Sequence, residues 1–330
     1  MMDTGNHKNS GEGRETVSLL IHIGFHKTGT TFLQRKIFNK KENGFCTPVD
    51  RIHLRDIFIQ TDPFEFDPVK IRADLWPNID QAFQDQLVPV LSHEQISGQP
   101  GGGAYGLRRR EKEASRKEIA DRLYDCFPQA RILIVIREQC DMIQSIYKFL
   151  VCGWHGKLSA TIGQFLDQSP LNDGYSPLFS MWYIEYHRIV EYYMNLFGQS
   201  SILVLPYEWL RDDPNYFINH IRSFVDLDSQ QTYQSEKVNE GYSAAVCEFR
   251  RVLNRWIVSP NQPGKISKME SRADRLCSRV NRWIPESLHK KTDQELAKKI
   301  EKLVAGFYAE SNQKTANLTG LDLKSLGYKL

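Results

Sequence analysis

The chain has 330 residues, of which 41% are hydrophobic, 25% charged and 11% aromatic. That balance is globular and excludes collagen, wholesale disorder and a disulfide miniprotein, and at about 150 residues per domain the length allows one large domain or two ordinary ones. Lys+Arg 43 against Asp+Glu 40 leaves a net charge of +3, too mild for a dedicated nucleic-acid binder.

The first sixteen residues, MMDTGNHKNSGEGRET, are polar and Gly-rich. They lack an apolar h-region, so a flexible tail is expected and a signal peptide is not. VSLLIHIG, 17–24, predicts a buried strand stopped by Gly24. TFLQRKIF, 31–38, predicts a helix with Phe32, Leu33, Ile37 and Phe38 on one side. Further strands are expected at 87–93, 130–137 and 200–208. Helical patterns precede the last two, EKEASRKEIADRLYDCF and LFSMWYIEYHRIVEYYMNLFG. Buried strands alternating with helices argue for an α/β fold, a central parallel sheet with helices on both faces.

After about residue 226 the strand signals stop, and 243–257, 269–284 and 292–311 read as helices. The last carries Leu296, Ile300, Leu303, Val304 and Phe307 at helical spacing. One domain over 17–330 is expected, an α/β core to about 226 and a helical C-terminal region from about 227. The six cysteines form no CxxC pair, and no Cys/His cluster has zinc-site spacing. Free thiols in a reducing, cytoplasmic setting are the expectation. No apolar run reaches the roughly 18 residues of a membrane span.

Two segments carry chemistry. GFHKTGTT, 24–31, lies between the first strand and the first helix. Its glycines permit close backbone approach to a phosphate, and the amides of Thr28, Gly29, Thr30, Thr31 and Phe32 would meet an anion at a helix N-terminus. The loop is P-loop-like, but it is not a Walker motif, which needs Lys directly after its second glycine. Thr30 stands there, and Lys27 lies two residues before Gly29. The second segment is IREQCDMIQSIY, 136–147. Arg137 ends a strand and Ser145 follows eight residues later on a helix, placed to hold a second phosphate. A glycine turn with a surface lysine, a structural ion pair for Arg137 and a solvated Ser145 are the plain alternatives. The two loops together are more specific than either alone.

The combination resembles the sulfotransferases that use 3′-phosphoadenosine 5′-phosphosulfate (PAPS). GFHKTGTTFLQ looks like that family's 5′-phosphosulfate loop, and ILIVIREQCDMIQSIYKF like its 3′-phosphate motif. YEWLRDDP, 207–214, resembles a segment after the fourth strand, and the ending FYAESNQKTANLTGLDLKSLGY resembles bacterial members acting on glycans or lipid-linked sugars. The resemblance is weak between residues 40 and 85. Glu138 and Gln139 stand where many relatives have Asn-Pro, and no clean copy of the Gly-rich basic C-terminal motif of phenol and steroid enzymes is present.

The resemblance implies sulfuryl transfer from PAPS to a hydroxyl of a carbohydrate or glycolipid. It implies no metal, because a sulfuryl group carries less charge than a phosphoryl group and Lys27 supplies a cation. Lys27 and the loop would hold the 5′-phosphosulfate, and Arg137 and Ser145 the 3′-phosphate. Glu94, at the end of the second predicted strand, is the first candidate for the base that takes the acceptor proton, and His93 the second. His26 could contact the acceptor, whereas His22, inside a strand, reads as core. Trp154 and His155 are candidates for the acceptor cleft, and Lys237, Asn239 and Ser243 are weaker ones for the donor. GGGAYGLRRREK, 101–112, reads as a solvated basic loop or as a lid meeting an anionic sugar or a membrane surface. An ATP- and magnesium-dependent kinase and a non-catalytic nucleotide-binding protein are the rival readings. The displaced lysine speaks against the first, and intact Lys27, Arg137 and Ser145 against the second.

Overall fold

The computed structural model describes residues 19–101, 114–153, 158–173, 177–228, 233, 241–257 and 268–330. The expected tail, Trp154, His155, Lys237, Asn239 and the basic part of the 101–112 segment lie outside these residues.

Five strands form one sheet: β1 (Leu20–Gly24), β2 (Phe45–Cys46), β3 (Val88–Ser92), β4 (Arg131–Ile136) and β5 (Ile202–Pro206). Their order is β2-β3-β1-β4-β5 and every pairing is parallel. Alternation along the strands splits the core into two faces. Ile21, Ile23, Leu91, Ile132, Ile134 and Val204 pack on one side, with helices α4 (Arg116–Cys126), α5 (Gln139–Cys152) and α7 (Tyr186–Phe197). Leu20, Val88, Val90, Leu133, Val135 and Leu205 pack on the other. That side is covered by the helix after β1 and by α9 (Pro214–Phe224) through Phe217, Ile218 and Ile221. A three-layer α/β fold results, as the alternating pattern predicts.

The remaining elements refine the expectation. The helix after β1 begins as α1 (Thr30–Phe32) and widens to π turns over Leu33–Phe38. The widening buries Gln34 beside the expected Leu33, Ile37 and Phe38, where its amide donates to Ser92 O and Oγ at 3.2 and 3.0 Å. Between β2 and β3 lie α2 (Arg51–Arg55) and α3 (Pro68–Gln84), each capped by an aspartate, Asp50 and Asp67. Short α6 (Ile162–Leu166) follows α5. β5 ends at Pro206, and α8 (Tyr207–Asp212) starts there, so the expected strand 200–208 is shorter.

The C-terminal region is helical: α10 (Ala244–Ile257), α11 (Lys268–Trp283), α12 (Glu286–Leu303) and α13 (Ala309–Thr319). The single helix expected at 292–311 is two, because Gly306 turns the chain with a φ of 75°. Ile300 and Val304 are buried as expected, but Leu303 and Phe307 are exposed. All six cysteines are free thiols.

This region shares its core with the sheet. Tyr308, Leu323 and Tyr328 join the β1–β4 face. Asn312 and Gln139 exchange amide hydrogen bonds, fixing α13 to the start of α5. Tyr328 Oη donates to the buried carboxylate of Glu208 at 3.2 Å, and the other Glu208 oxygen accepts from the Glu138 N–H at 2.9 Å. Burial holds the Glu208 pKa above the ordinary carboxylate value. Tyr328→Phe removes the donor and leaves that oxygen short of a partner in a dry site. It is expected to cost about 2 kcal/mol, read as a lower urea midpoint with an unchanged slope.

Candidate active site

The site gathers where β1, β3 and β4 end, the edge at which open parallel sheets collect ligands. β1 runs into the loop Phe25–Gly29. Phe25 is fully buried, edge-on to Tyr183 and Tyr186 with centroids 5.2 and 5.0 Å away. Thr28 Oγ1 closes the turn by donating to Phe25 O at 2.7 Å. Lys27 and Gly29 both adopt left-handed backbone, with φ of 67° and 79°. Such alternation turns successive N–H groups toward one concavity, a ready anion cradle. A side chain at Gly29 would be strained by that φ, and its Cβ would lie 2.5 Å from Leu210 Cδ2, which would have to shift. Gly29 is also the N-cap of α1 and contributes no side-chain cap, which leaves the first-turn amides to a ligand. Thr30 is buried and Thr31 exposed, with Phe32 between them in exposure.

Lys27 in left-handed backbone is strained. Arg137, at the end of β4, holds it: Nη1 donates to the Lys27 carbonyl at 3.0 Å. Arg137 is itself clasped, because Tyr186 Oη accepts from its N–H at 3.3 Å and donates to its carbonyl at 2.6 Å. Its guanidinium stacks on Tyr207 at 4.7 Å, and Nε is buried with no hydrogen-bond partner among the described residues. The Lys27 ammonium lies 4.9 Å from the Phe149 ring centre on α5. The residue as a whole keeps some solvent exposure, while its ammonium is largely desolvated. Burial, then Arg137 and Lys148, push its pKa down. Three cations therefore converge here, the field an anionic ligand needs. Ser145 is half-buried on α5, with Asp141 one turn before it and Lys148 one turn after it on the same helix face. Lys148 is bracketed by both oxygens of Asp293 on α12, at 3.0 and 3.1 Å.

The candidate bases sit just past β3. His93 is buried, and its Nδ1 accepts from the Gln95 N–H at 3.0 Å, capping the turn Glu94–Ser97. With that lone pair engaged, the neutral ring carries its proton on Nε2. Burial lowers the His93 pKa to about 4. Glu94 receives Arg51 Nη2 on both oxygens, at 2.6 and 2.5 Å. Burial would raise the Glu94 pKa, but His93, Arg51 and a backbone N–H outweigh it and hold the carboxyl below its ordinary value.

His26 belongs to the same pocket, with Glu94 and His93 close enough to act on its charge, and burial lowers its pKa to about 4. Ser97 Oγ donates to the Glu94 carbonyl at 2.9 Å, so Tyr183 Oη, 2.9 Å away, donates to Ser97. Tyr183 then accepts from His26 Nδ1 at 3.0 Å, and this order assigns the lone pair of His26 to Nε2. Arg116 stacks on Tyr183 and Phe25 at 5.1 and 5.6 Å. Its Nε and Nη2, and both amide atoms of Gln99, are buried with no hydrogen-bond partner among the described residues. His22 lies in the core as expected, bonded to Ser92 Oγ at 2.8 Å, and burial lowers its pKa to about 3.

Lys27 and Arg137 thus touch, Ser145 stands on the helix against which Lys27 lies, and Glu94 and His93 adjoin His26. Sequence reasoning missed Lys148, whose signal was its place three residues after Ser145. It also missed Arg51, Tyr183, Arg116 and Gln99, which no motif marks.

A sulfotransferase domain model matches residues 19–247. The chain belongs to the sulfotransferase domain family. It is a transferase, and its reaction class is sulfuryl transfer. A crystal structure of a sulfotransferase from Alicyclobacillus acidocaldarius superposes with a TM-score of 0.53 at 15% identity, covering 93% of this chain and 98% of that one. At that identity the likeness concerns the fold. It extends the match beyond residue 247, into the C-terminal helices of this sulfotransferase. No curated protein matches the chain.

Gly29→Ala adds a methyl group against Leu210 and a left-handed alanine. It is expected to cost about 1–3 kcal/mol of stability from the backbone alone. A urea melt should read that cost as a lower midpoint with an unchanged slope.

Proposed function

We propose that this sulfotransferase moves the sulfuryl group of PAPS to a hydroxyl of a carbohydrate or glycolipid by direct in-line displacement, without a metal. The contact between Arg137 and the Lys27 carbonyl carries the donor reading. It joins the two segments that resemble the family's 5′-phosphosulfate loop and 3′-phosphate motif, so one connected unit would face both ends of a nucleotide bisphosphate. The loop amides and Lys27 would bind the 5′ end. Arg137, through its unpartnered Nε, and Ser145 would bind the 3′-phosphate, with Lys148 adding charge.

In the reaction the acceptor oxygen forms a bond to sulfur as the bond from sulfur to the bridging oxygen breaks. The electron pair of the broken bond passes to the 5′-phosphate, where Lys27 stabilises the developing charge. The acceptor proton goes to Glu94. Its low pKa makes it a weak base but keeps it ionised at neutral pH, ready as the acceptor hydroxyl turns acidic on attack. His93 is disfavoured, because its Nδ1 lone pair caps a turn and its Nε2 carries the proton. The carbohydrate reading is supported by Arg116 and Gln99. The buried, unpartnered polar atoms of both, those of Arg116 beside Tyr183, suit an acceptor rich in hydroxyls better than an apolar ring. Mass spectrometry of glycans and lipids from cells with and without the protein tests the acceptor. A sulfate lost from neither class rejects it.

Adenosine 3′,5′-bisphosphate at about 100 times its Kd should stabilise the protein by about 2.7 kcal/mol, and 5′-AMP at the same concentration far less. Arg137→Ala should erase the difference in melting temperature, and equal shifts from the two nucleotides in the parent protein would reject the 3′-phosphate assignment.

Glu94→Gln should lower turnover about 100- to 10,000-fold with bisphosphate binding retained. His93→Asn should cost far less, since an asparagine oxygen can also cap the turn. Arg51→Gln removes the cation on Glu94, which raises the carboxyl pKa. The acid limb of the kcat/KM profile should then move to higher pH. An unmoved limb would take the base role away from Glu94.

A further inference from the structure

Helix α11 turns an unusual face to solvent. Its buried side carries Glu270, Ala273 and Cys277. On its outer side Met269, Leu276 and Trp283 recur at seven-residue spacing and are 55%, 42% and 83% exposed. That spacing keeps all three on one stripe of the helix. Arg272, Arg275, Arg279 and Arg282 flank the stripe and are exposed, with no ion pair among the described residues. The acids of the helix are turned away: Glu270 is buried, and Asp274 binds Arg250 at 2.8 Å. The outward face is therefore apolar and cationic at once. Neighbouring α10 exposes Val252 and Trp256 on its own outer side, at 44% and 82%. No helix among the described residues is long and apolar enough to cross a membrane.

We propose that α11 docks this sulfotransferase on an anionic lipid surface. The charge complementarity selects that occupant. A bilayer bearing acidic headgroups takes the arginines at headgroup level, while Met269, Leu276 and Trp283 enter the boundary below. A second copy pairing through this face would set arginine against arginine, with no acid on the stripe to answer it. An unexposed helix side would be needed to bury Trp283 within the chain, and α11 already spends that side on Ala273 and Cys277. Because α10 packs on α5, which carries Ser145, a docked α11 would keep the sulfuryl site near the lipid surface without placing it in the bilayer. The inference stands on exposure and charge alone and does not depend on the acceptor proposed above.

The test uses the full chain with phosphatidylcholine vesicles, with and without phosphatidylglycerol, in a co-sedimentation assay. Binding is expected only with phosphatidylglycerol, weakening as salt rises. Arg275→Ala/Arg279→Ala should lower the affinity about 25-fold, near fivefold per arginine. Trp283→Ala should lower it about tenfold. Both variants change exposed side chains, and unaltered thermal stabilisation by adenosine 3′,5′-bisphosphate verifies their fold. If the bisphosphate stabilises neither parent nor variants, the donor reading fails while the vesicle result still stands. No binding to phosphatidylglycerol vesicles overturns the proposal. So does equal binding by parent and variants. Dimerisation that Trp283→Ala abolishes would make the occupant a second copy. Heparin binding as tight as vesicle binding, and indifferent to Trp283→Ala, would make the face a general polyanion site.

Discussion

Arg137 donates one hydrogen bond to the carbonyl of Lys27, and the geometry of the proposed donor site depends on it. Without that bond a lysine would have little reason to remain in left-handed backbone, a conformation that costs a non-glycine residue about 1–3 kcal/mol. The strain has a use. It lifts the Lys27 side chain across to Phe149 on α5 and leaves the loop amides facing a common concavity. Arg137 in turn is held by Tyr186, whose ring packs on Phe25 beneath the same loop. The loop, the end of β4 and α7 therefore form one closed circuit, and a change in any member reaches the others.

The histidines show how burial sorts chemistry on the acceptor side. His22, His26 and His93 all have pKa values far below that of a free imidazole, with burial as the largest cause in each. At neutral pH all three are uncharged, so the cations of the site are Lys27, Arg137, Lys148, Arg51 and Arg116. Neutral histidines keep positive charge concentrated where the donor's anionic groups would lie. They also leave Glu94 as the nearby anion, balanced by Arg51. The chain from Ser97 through Tyr183 to His26 Nδ1 fixes one ring orientation. His26 thus carries its proton on Nδ1 and is uncharged, and its neighbour Lys27 supplies the charge.

Four of the five strands were legible because each is a short, β-branched run buried on both faces. The two-residue β2 carries too little pattern to be read. The sequence placed the Gly24–Thr31 loop at a helix start and Arg137 at a strand end, and the structure brings these two segments into contact. What the sequence hid was mostly long-range. Arg51 and Glu94 are 43 residues apart, Lys148 and Asp293 are 145 apart, and no local pattern pairs them. The π turns after β1 were hidden too, since burying Gln34 is favourable only once Ser92 is there to receive its amide. Reading one helix at 292–311 failed at Gly306, where apolar periodicity continued across a turn that the glycine's positive φ favours.

The C-terminal helices act on the donor face of α5 and are more than an appendage. Asp293 on α12 shows how. One of its oxygens accepts from the Ala244 N–H at 2.7 Å, at the start of α10, while both oxygens hold Lys148. The Asp293 carbonyl accepts from Gln144 as well, at 3.0 Å. A single residue thereby ties three helices together and restrains the side chains on either side of Ser145. The pairing also tempers charge. Lys148 is close enough to Lys27 to lower its pKa, and a fully unpaired cation there would compete for the leaving group's charge or drive the Lys27 ammonium toward its neutral form. Paired with Asp293, Lys148 adds to the anion-attracting field, and in the proposed reaction Lys27 would keep the proton it needs at the bridging oxygen. The domain match ends at residue 247, yet the electrostatics of the proposed donor site reach Asp293, well beyond it.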